Sequence, residues 1–211
     1  DEPTRILTHF TIAKLLNIPV VWNIHAEKSL VKNKRIFKWM YKRFLKNNLT
    51  FISDSKYVLL NNLSYMKEFF DPGFENIPIV HATVNLNKFL SIKKKYTDKK
   101  EVIIIGSVGR LNWAKGYDIL IKSLKVLKKN HPNFQMKIAG DGPYRSKLEN
   151  MIDRYSLKEN VFILGELHYN DIPKFYSSID LYIQPSVSEG SPITLKEAMA
   201  SSLPILASTA G

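Results

Sequence analysis

The second half of the chain alternates regularly between short apolar runs and segments with helical spacing. The apolar runs predict strands at 102–108, 134–139, 161–164, 179–184 and 204–207. The segments between them predict helices at 117–130, 145–155, 172–177 and 192–201. Because the runs are continuously apolar, they indicate an α/β domain whose parallel sheet is covered on both faces. Ligands of such sheets bind at the carboxyl ends of the strands.

The first half of the chain shows a fainter α/β pattern. A helical segment precedes an apolar run at 18–25, and further short strands are predicted at 50–53 and 76–80. Residues 91–100 are polar and rich in lysine, which is typical of a linker. The sequence therefore predicts two domains, 1–90 and 101–211, joined by that linker.

The composition excludes several kinds of site. The 211 residues contain no cysteine, so disulfides, zinc–thiolate sites and a cysteine nucleophile are excluded. No apolar run reaches membrane-spanning length. The formal net charge of +12 suits an anionic partner, but it also suits a basic surface that only confers solubility, and both interpretations stay open.

The most informative loop joins the strand 179–184 to the next helix. Gly190, Ser191 and Pro192 form a turn that favours exposed backbone N–H groups at a helix N-terminus, which is an anion site. Glu189 and Glu197 flank this turn, and carboxylates suit hydroxyl groups rather than phosphates. An anion beside a polyhydroxylated group describes a nucleotide sugar.

Other candidates follow the earlier strands of this domain. After the first strand come Gly109 and Arg110, and Lys115 precedes the next helix; a guanidinium and an ammonium together suit a diphosphate. The alternative is a pair of ordinary surface cations. Two further turns contain Gly140 and Gly142, and Glu166 and Leu167, where backbone groups are accessible to a ligand. Either turn is equally consistent with a plain connection.

Histidine supplies one further candidate and no metal site. His25 ends the apolar run 18–25, although a lone histidine is more often structural than functional. The histidines show no ligand spacing, and the sequence has no Asp-x-Asp pair. We therefore predict no metal and no cofactor.

Four motifs carry a resemblance to a known family. They are Gly109-Arg110-Leu111 with Lys115-Gly116, Ala139-Gly140-Asp141-Gly142-Pro143, Asp180-Leu181-Tyr182-Ile183-Gln184-Pro185-Ser186, and Glu189-x7-Glu197-Ala198-Met199-Ala200. In order and spacing, residues 102–211 resemble the carboxy-terminal domain of family 4 retaining glycosyltransferases, which have the GT-B fold. Residues 1–90 resemble the second half of that family's amino-terminal domain more faintly. One departure is Ser202, where a glycine is usual.

The resemblance implies a fold and a set of residue roles. Two Rossmann-like parallel-sheet domains would face a cleft, each incomplete here, so that this piece alone would be inactive. Arg110 and Lys115 would hold the donor diphosphate, Glu189 the sugar hydroxyls and Glu197 the ribose. The remaining implied donor contacts are Gly109, Gly140, Gly142, Glu166, Leu167, Gly190, Ser191, Pro192, Ile193 and Thr194, with His25 reaching across the cleft.

The implied activity is metal-independent transfer of a hexose, with retention, from a nucleotide-diphosphate sugar. The acceptor would be a glycan or a lipid-linked molecule in surface polysaccharide, lipopolysaccharide or glycolipid assembly. A nucleotide-sugar epimerase and a non-catalytic nucleotide-binding or scaffold subunit are the alternatives. Nucleic-acid binding would rest on charge alone and is not predicted.

A basic amphipathic segment suggests where the protein is located. In the segment Lys28–Lys46, lysine and arginine residues flank an apolar stripe, a pattern that suits an anionic membrane surface. An ordinary helix with a solvated basic face explains the pattern equally well. With this segment we expect a cytoplasmic protein that binds peripherally to the inner face of the membrane.

Overall fold

The computed structural model describes residues 11–13, 15–24, 49–55, 60, 77–90 and 101–210. The chain divides into two compact units between Ala82 and Thr83. The division precedes the boundary expected at residue 90, so residues 83–90 belong to the second unit. The reason is local packing, because Phe89 is fully buried among side chains of that unit.

The first unit contains two parallel strands in its described part. Strand β1, Val20–Ile24, pairs with β2, Leu49–Ser53, in register from Val20↔Leu49 to Ile24↔Ser53. Where a third strand was predicted, the structure has a single bridge between Ser53 and Ile79. Pro78 explains the difference, because it accepts from Ser53 N at 3.0 Å but has no N–H with which to extend a ladder.

The second unit alternates strands and helices as predicted. Its elements in chain order are α1 Leu86–Leu90, β3 Ile103–Val108, a 3₁₀ turn Trp113–Lys115, α2 Tyr117–Asn130, β4 Phe134–Ala139, α3 Arg145–Arg154, β5 Val161–Gly165, α4 Ile172–Ser177, β6 Leu181–Gln184, α5 Ile193–Ala200 and β7 Ile205–Ala207. The observed bounds of α2, β4 and α4 are those that the sequence predicts.

The five strands β3–β7 form one parallel sheet in the order β5-β4-β3-β6-β7. The chain winds outward from β3 to β5, then returns to the other side of β3 at β6. The strand order therefore reverses between β3 and β6. The crevice beyond the carboxyl ends of such neighbouring strands is where open α/β sheets bind ligands.

Helices cover both faces of this sheet. Ile183 belongs to one apolar cluster, which includes residues of α2 and α3, whereas its neighbour Tyr182 belongs to a second cluster with residues of α1, α4 and α5. Ile138 and Ala139 divide between the two clusters in the same way. Since successive strand residues point to opposite faces, the two clusters form two separate cores, one on each side.

Two details depart from the plain pattern. Strand β6 begins at Leu181 rather than at residue 179, because the Asp180 carboxylate accepts from Ile104 N at 2.9 Å in place of a backbone group. Ser202, where the resemblance led us to expect glycine, has φ of 54°. This left-handed conformation is the one that glycine adopts without steric cost, which accounts for the usual residue there.

A buried asparagine offers a stability test of this unit. Asn160 is 6% exposed, and its Nδ2 donates to Pro132 O at 3.0 Å and Phe134 O at 2.9 Å. Asn160→Ala removes both bonds and leaves the buried Phe134 carbonyl without this donor, whereas Pro132 O still accepts from Phe134 N. We therefore expect the substitution to lower the free energy of unfolding by about 3 kcal/mol. Urea denaturation measures this loss. The exposed Asn150→Ala is the control, and an equal effect of both variants would contradict the assignment.

Candidate functional site

The 3₁₀ turn Trp113–Lys115 fixes the position of Lys115. The Asn112 side chain caps the turn by accepting from Lys115 N at 3.3 Å. Gly116 ends it in a left-handed conformation with φ of 65°. From this turn the Lys115 ammonium extends to Glu189, with 2.6 Å between Nζ and Oε1. The structure thus brings together two predicted site residues that are 74 positions apart.

Two more donors hold the same carboxylate oxygen of Glu189. Ser186 Oγ donates at 2.6 Å and Gln184 Nε2 at 3.3 Å, while the Glu189 side chain is only 8% exposed. With three donors on one oxygen, the carboxylate has a fixed orientation and its charge is compensated. Gln184 and Ser186 were not predicted as site residues, although both belong to the motif 180–186, which ends three positions before Glu189.

The lysine turn and the loop after β6 are directly bonded. Val187 N and Ser188 N both donate to Ala114 O, at 2.7 and 3.2 Å. A Cβ at Gly116 would lie 2.0 Å from Pro185 O, so a side chain at that position would force the two segments apart. The carboxyl ends of β3 and β6 are therefore extended by loops that hold each other in place.

A cavity of about 580 Å³ lies at the carboxyl ends of β3, β4 and β5. Six of the predicted donor-binding residues line it: Gly109, Arg110, Gly140, Gly142, Glu166 and Leu167. Glycine at position 140 lets the two turns that line the cavity approach closely, since a Cβ at Gly140 would lie 2.0 Å from Gly109 O. Asp141 O accepts from Leu111 N at 2.9 Å, which ties the two turns together.

The lysine lies next to this cavity. Gly109 and the exposed Arg110 both line the cavity. A Cβ at Gly109 would lie 3.6 Å from the Cδ and Cε atoms of Lys115. Beneath them, burial raises the pKa of Tyr117 to about 12. Its phenol therefore stays neutral at physiological pH and adds no negative charge beside Arg110 and Lys115.

Glu197 lies in α5 and is almost completely buried, at 6% exposure. Tyr176 OH donates to its Oε2 at 3.1 Å. Burial raises the pKa of this carboxyl, whereas the Tyr176 hydrogen bond and the charge of Lys88 act in the opposite direction. A carboxylate kept in a buried position, with a donor of its own, has the features of a ligand-binding group rather than of a surface acid.

The first turn of α5 begins at Ile193, after Pro192 at the N-cap. No side chain among the described residues caps this turn, and Pro192 has no N–H. The amides of Ile193 and Thr194 are therefore suited to an anion, as predicted for the 190–194 backbone. Ser191 Oγ accepts from Lys196 Nζ at 2.8 Å, which adds a cation at the same place.

Other predicted features fall outside these contacts. His25 and Lys28–Lys46 lie outside the described residues. A larger apolar groove of about 750 Å³ between α2 and strands β6 and β7 has no charged Asp, Glu, Lys or Arg in its lining, so it does not suit a diphosphate.

The described part of the chain contains neither a cluster of metal ligands nor a membrane-spanning helix. Among the residues that the structure describes, no three His, Cys, Asp or Glu side chains group closely enough to hold a metal ion. In that same part of the chain, no helix is long and apolar enough to cross a membrane. The absence of metal and cofactor stays a prediction.

Comparison with known proteins identifies the family. The family model "Glycosyl transferases group 1" matches residues 88–211, which is more than half of the chain and includes β3 to β7. The chain belongs to this family. The suspected membership in a GT4-type glycosyltransferase family is thereby confirmed.

Individual relatives agree with this assignment. Protein CapJ of Staphylococcus aureus is 31% identical over 201 residues, covering 94% of this chain and 44% of its own length. The putative colanic acid biosynthesis glycosyltransferase WcaL of Escherichia coli is 31% identical over 138 residues, covering 63% and 34%. The chain thus spans less than half the length of these relatives.

The fold is shared with solved glycosyltransferases. The crystal structure of Anabaena Alr3699/HepE in complex with UDP and glucose matches with a TM-score of 0.75 at 21% identity, covering 98% of this chain and 57% of that one. The predicted α/β, GT-B-type fold is confirmed by this similarity.

Proposed function

We propose that the second unit binds a nucleotide-diphosphate sugar and that the protein transfers the sugar, with retention, to an acceptor hydroxyl. The observation that carries the proposal is the Lys115–Glu189 pair at the point where the strand order reverses. It places a phosphate-binding cation and a hydroxyl-binding carboxylate in direct contact, which is the combination that a nucleotide sugar requires.

Three groups would bind the diphosphate. Arg110 supplies a planar guanidinium, Lys115 an ammonium, and the first turn of α5 two amides aimed along the helix dipole. The α5 amides are fixed before the ligand arrives, whereas the Lys115 ammonium has to leave Glu189 to reach the diphosphate. Their main contribution to rate would be to stabilise the negative charge that develops on the departing diphosphate.

Donor binding would exchange the partners of Lys115. In the structure its ammonium bonds to Glu189. A bound diphosphate would take that ammonium, which frees part of the Glu189 carboxylate for the sugar hydroxyls, while Ser186 and Gln184 keep its orientation. Glu197 would bind the ribose hydroxyls, and Glu166 and Leu167 would lie near the base.

The transfer step would break the bond between the sugar's anomeric carbon and the diphosphate oxygen. The acceptor oxygen would bond to the anomeric carbon on the face that the diphosphate leaves. The acceptor's proton would pass to the departing phosphate oxygen. The residues Arg110 and Lys115 would then act by electrostatic stabilisation and orientation. With two cations and a helix N-terminus on the diphosphate, the reaction would need no metal.

The comparisons support a narrower choice of substrates. HepE is described with UDP and glucose, which favours a uridine diphosphate hexose as donor. WcaL is named for colanic acid biosynthesis, which favours a growing glycan or lipid-linked intermediate of a surface polysaccharide as acceptor. Contact of Lys28–Lys46 with the inner face of the membrane and a role of His25 in donor binding remain part of the proposal.

A thermal-shift panel tests donor binding. We expect one nucleotide sugar among the UDP-, GDP- and ADP-linked hexoses, at about 100 times its Kd, to stabilise the chain by about 2.7 kcal/mol and raise Tm by about 5–10 °C. The shift should persist in EDTA, because no metal is required. If no nucleotide sugar shifts Tm at millimolar concentration, donor binding by this unit is refuted.

A further inference from the structure

Tyr176 occupies the centre of an aromatic cluster beneath α5. Its side chain is fully buried, and its ring makes edge contacts with Phe89 and Phe175, each with 5.9 Å between centroids. Tyr182 lies 5.8 Å away on the third side. With rings around it, the Tyr176 side chain has one available position, so the location of its hydroxyl is set by packing.

The Tyr176 hydroxyl reaches two atoms of α5. It lies 2.9 Å from Thr194 O and 3.1 Å from Glu197 Oε2. One phenolic proton serves both acceptors, so the contact joins the first turn of the helix to the carboxylate one turn later. Thr194 belongs to the segment whose amides would bind the diphosphate, and Glu197 to the ribose site.

We propose that Tyr176 is a positioning residue that orients the Glu197 carboxylate toward the ribose hydroxyls of the donor. The inference rests on the proposed function, because it assigns a support to a residue of that same site. Tyr176 is not expected to touch the donor, since it is completely buried. It acts by occupying one lone pair of Glu197 and so fixing the direction of the remaining acceptor positions.

Two further observations support the assignment. Glu197 is only 6% exposed, so little bulk water can replace a donor lost at its Oε2. The charge of Lys88 also lowers the pKa of Glu197, but the Lys88 ammonium does not bond to this carboxylate. It donates to Tyr169 O and lies over the Tyr169 ring. The hydroxyl is therefore the specific hydrogen-bond donor at this carboxylate in the described structure.

Tyr176→Phe tests the inference, because it removes the hydroxyl and keeps the ring contacts. The probe is whichever of UDP, GDP and ADP binds the wild type most tightly. Calorimetry would compare the binding of this nucleoside diphosphate with that of its 2′,3′-dideoxy form. We expect the variant to bind the ribose form about tenfold more weakly and to bind the dideoxy form like the wild type. A loss that is equal for both probes, or no loss, would overturn the inference.

Two control variants separate this inference from the proposed function. Glu197→Ala should also lose affinity only for the ribose form; if it does not, the assigned role of Glu197 fails as well. Tyr182→Phe removes another fully buried hydroxyl, which lies 3.4 Å from Gln184 Oε1 rather than at Glu197, and should show no loss that is particular to the ribose form. An equal ribose-specific loss in Tyr182→Phe would count against a role particular to Tyr176.

A pH profile adds a readout that loss of packing would not move. The Tyr176 hydrogen bond lowers the pKa of Glu197, whereas burial raises it. In Tyr176→Phe the carboxylate should therefore take up its proton at a higher pH. The weakening of ribose-form binding as pH falls is expected to begin at a higher pH than in the wild type. Superimposable pH profiles would contradict the positioning role.

Discussion

Replacing Lys115 with alanine is expected to weaken binding of the nucleoside diphosphate about 100-fold. A charge-assisted hydrogen bond to phosphate contributes about 1.5–3 kcal/mol, and the upper part of that range applies where the lysine is partly shielded from water. The Lys115 side chain meets this condition, because it is only 25% exposed. Isothermal titration calorimetry measures the loss directly.

Lys147→Ala is the matched control for this experiment. It removes one positive charge from the same unit, but Lys147 is 48% exposed on α3 and pairs with Asp118 at 3.2 Å, outside the crevice. We expect its affinity to stay within twofold of the wild type, because exposed charges are largely screened by salt. Equal losses in both variants would show that net charge, rather than the position of Lys115, determines binding.

Gly116→Ala is expected to destabilise the second unit by about 4 kcal/mol. The added Cβ would stand 2.0 Å from Pro185 O, and it would do so in a left-handed conformation with φ of 65°. Both the strain of that conformation and the displacement of backbone contribute to the loss. Because Pro185 begins the loop that contains Glu189, the remaining folded protein should also bind nucleoside diphosphate more weakly.

Gly165→Ala separates the two causes. Gly165 has φ of 79°, yet a Cβ there would meet only Arg145 Nη1 at 3.6 Å. This control therefore has the cost of the left-handed conformation without the backbone clash. We expect it to lower the free energy of unfolding by about 1–2 kcal/mol. Urea denaturation of both variants gives the comparison. If the two losses are equal, the close approach of Gly116 to Pro185 does not hold the loops together.

The sequence predicted the second unit well because its physical signals are local. Helix α2 has apolar residues at helical spacing, and β4 has apolar residues at alternate positions from Phe134 to Ile138 between two turns, so both bounds were correct. Glycine turns were also informative, since Gly140 and Gly142 are required where two loop backbones touch. The residues lining the cavity follow from these elements and from the rule that strand ends meet.

Contacts between distant residues were beyond the sequence argument. Nothing in the spacing of residues indicates that Ser186 and Gln184 bond to Glu189, or that Tyr176 OH reaches Glu197 across 21 positions. The expected boundary at residue 90 also ignored such a contact, because Phe89 packs on the ring of Tyr176. These features depend on which side chains the parallel sheet and its helices bring together, and they appear only in the packed structure.

A crystal structure of the chain with a nucleoside diphosphate would show whether the second unit binds its donor as proposed. We expect the diphosphate to contact Arg110 and Lys115, Lys115 Nζ to move from Glu189 to a phosphate oxygen, and the ribose to lie at Glu197. A diphosphate bound anywhere else, or a Lys115–Glu189 pair left intact beside a bound ligand, would contradict this expectation.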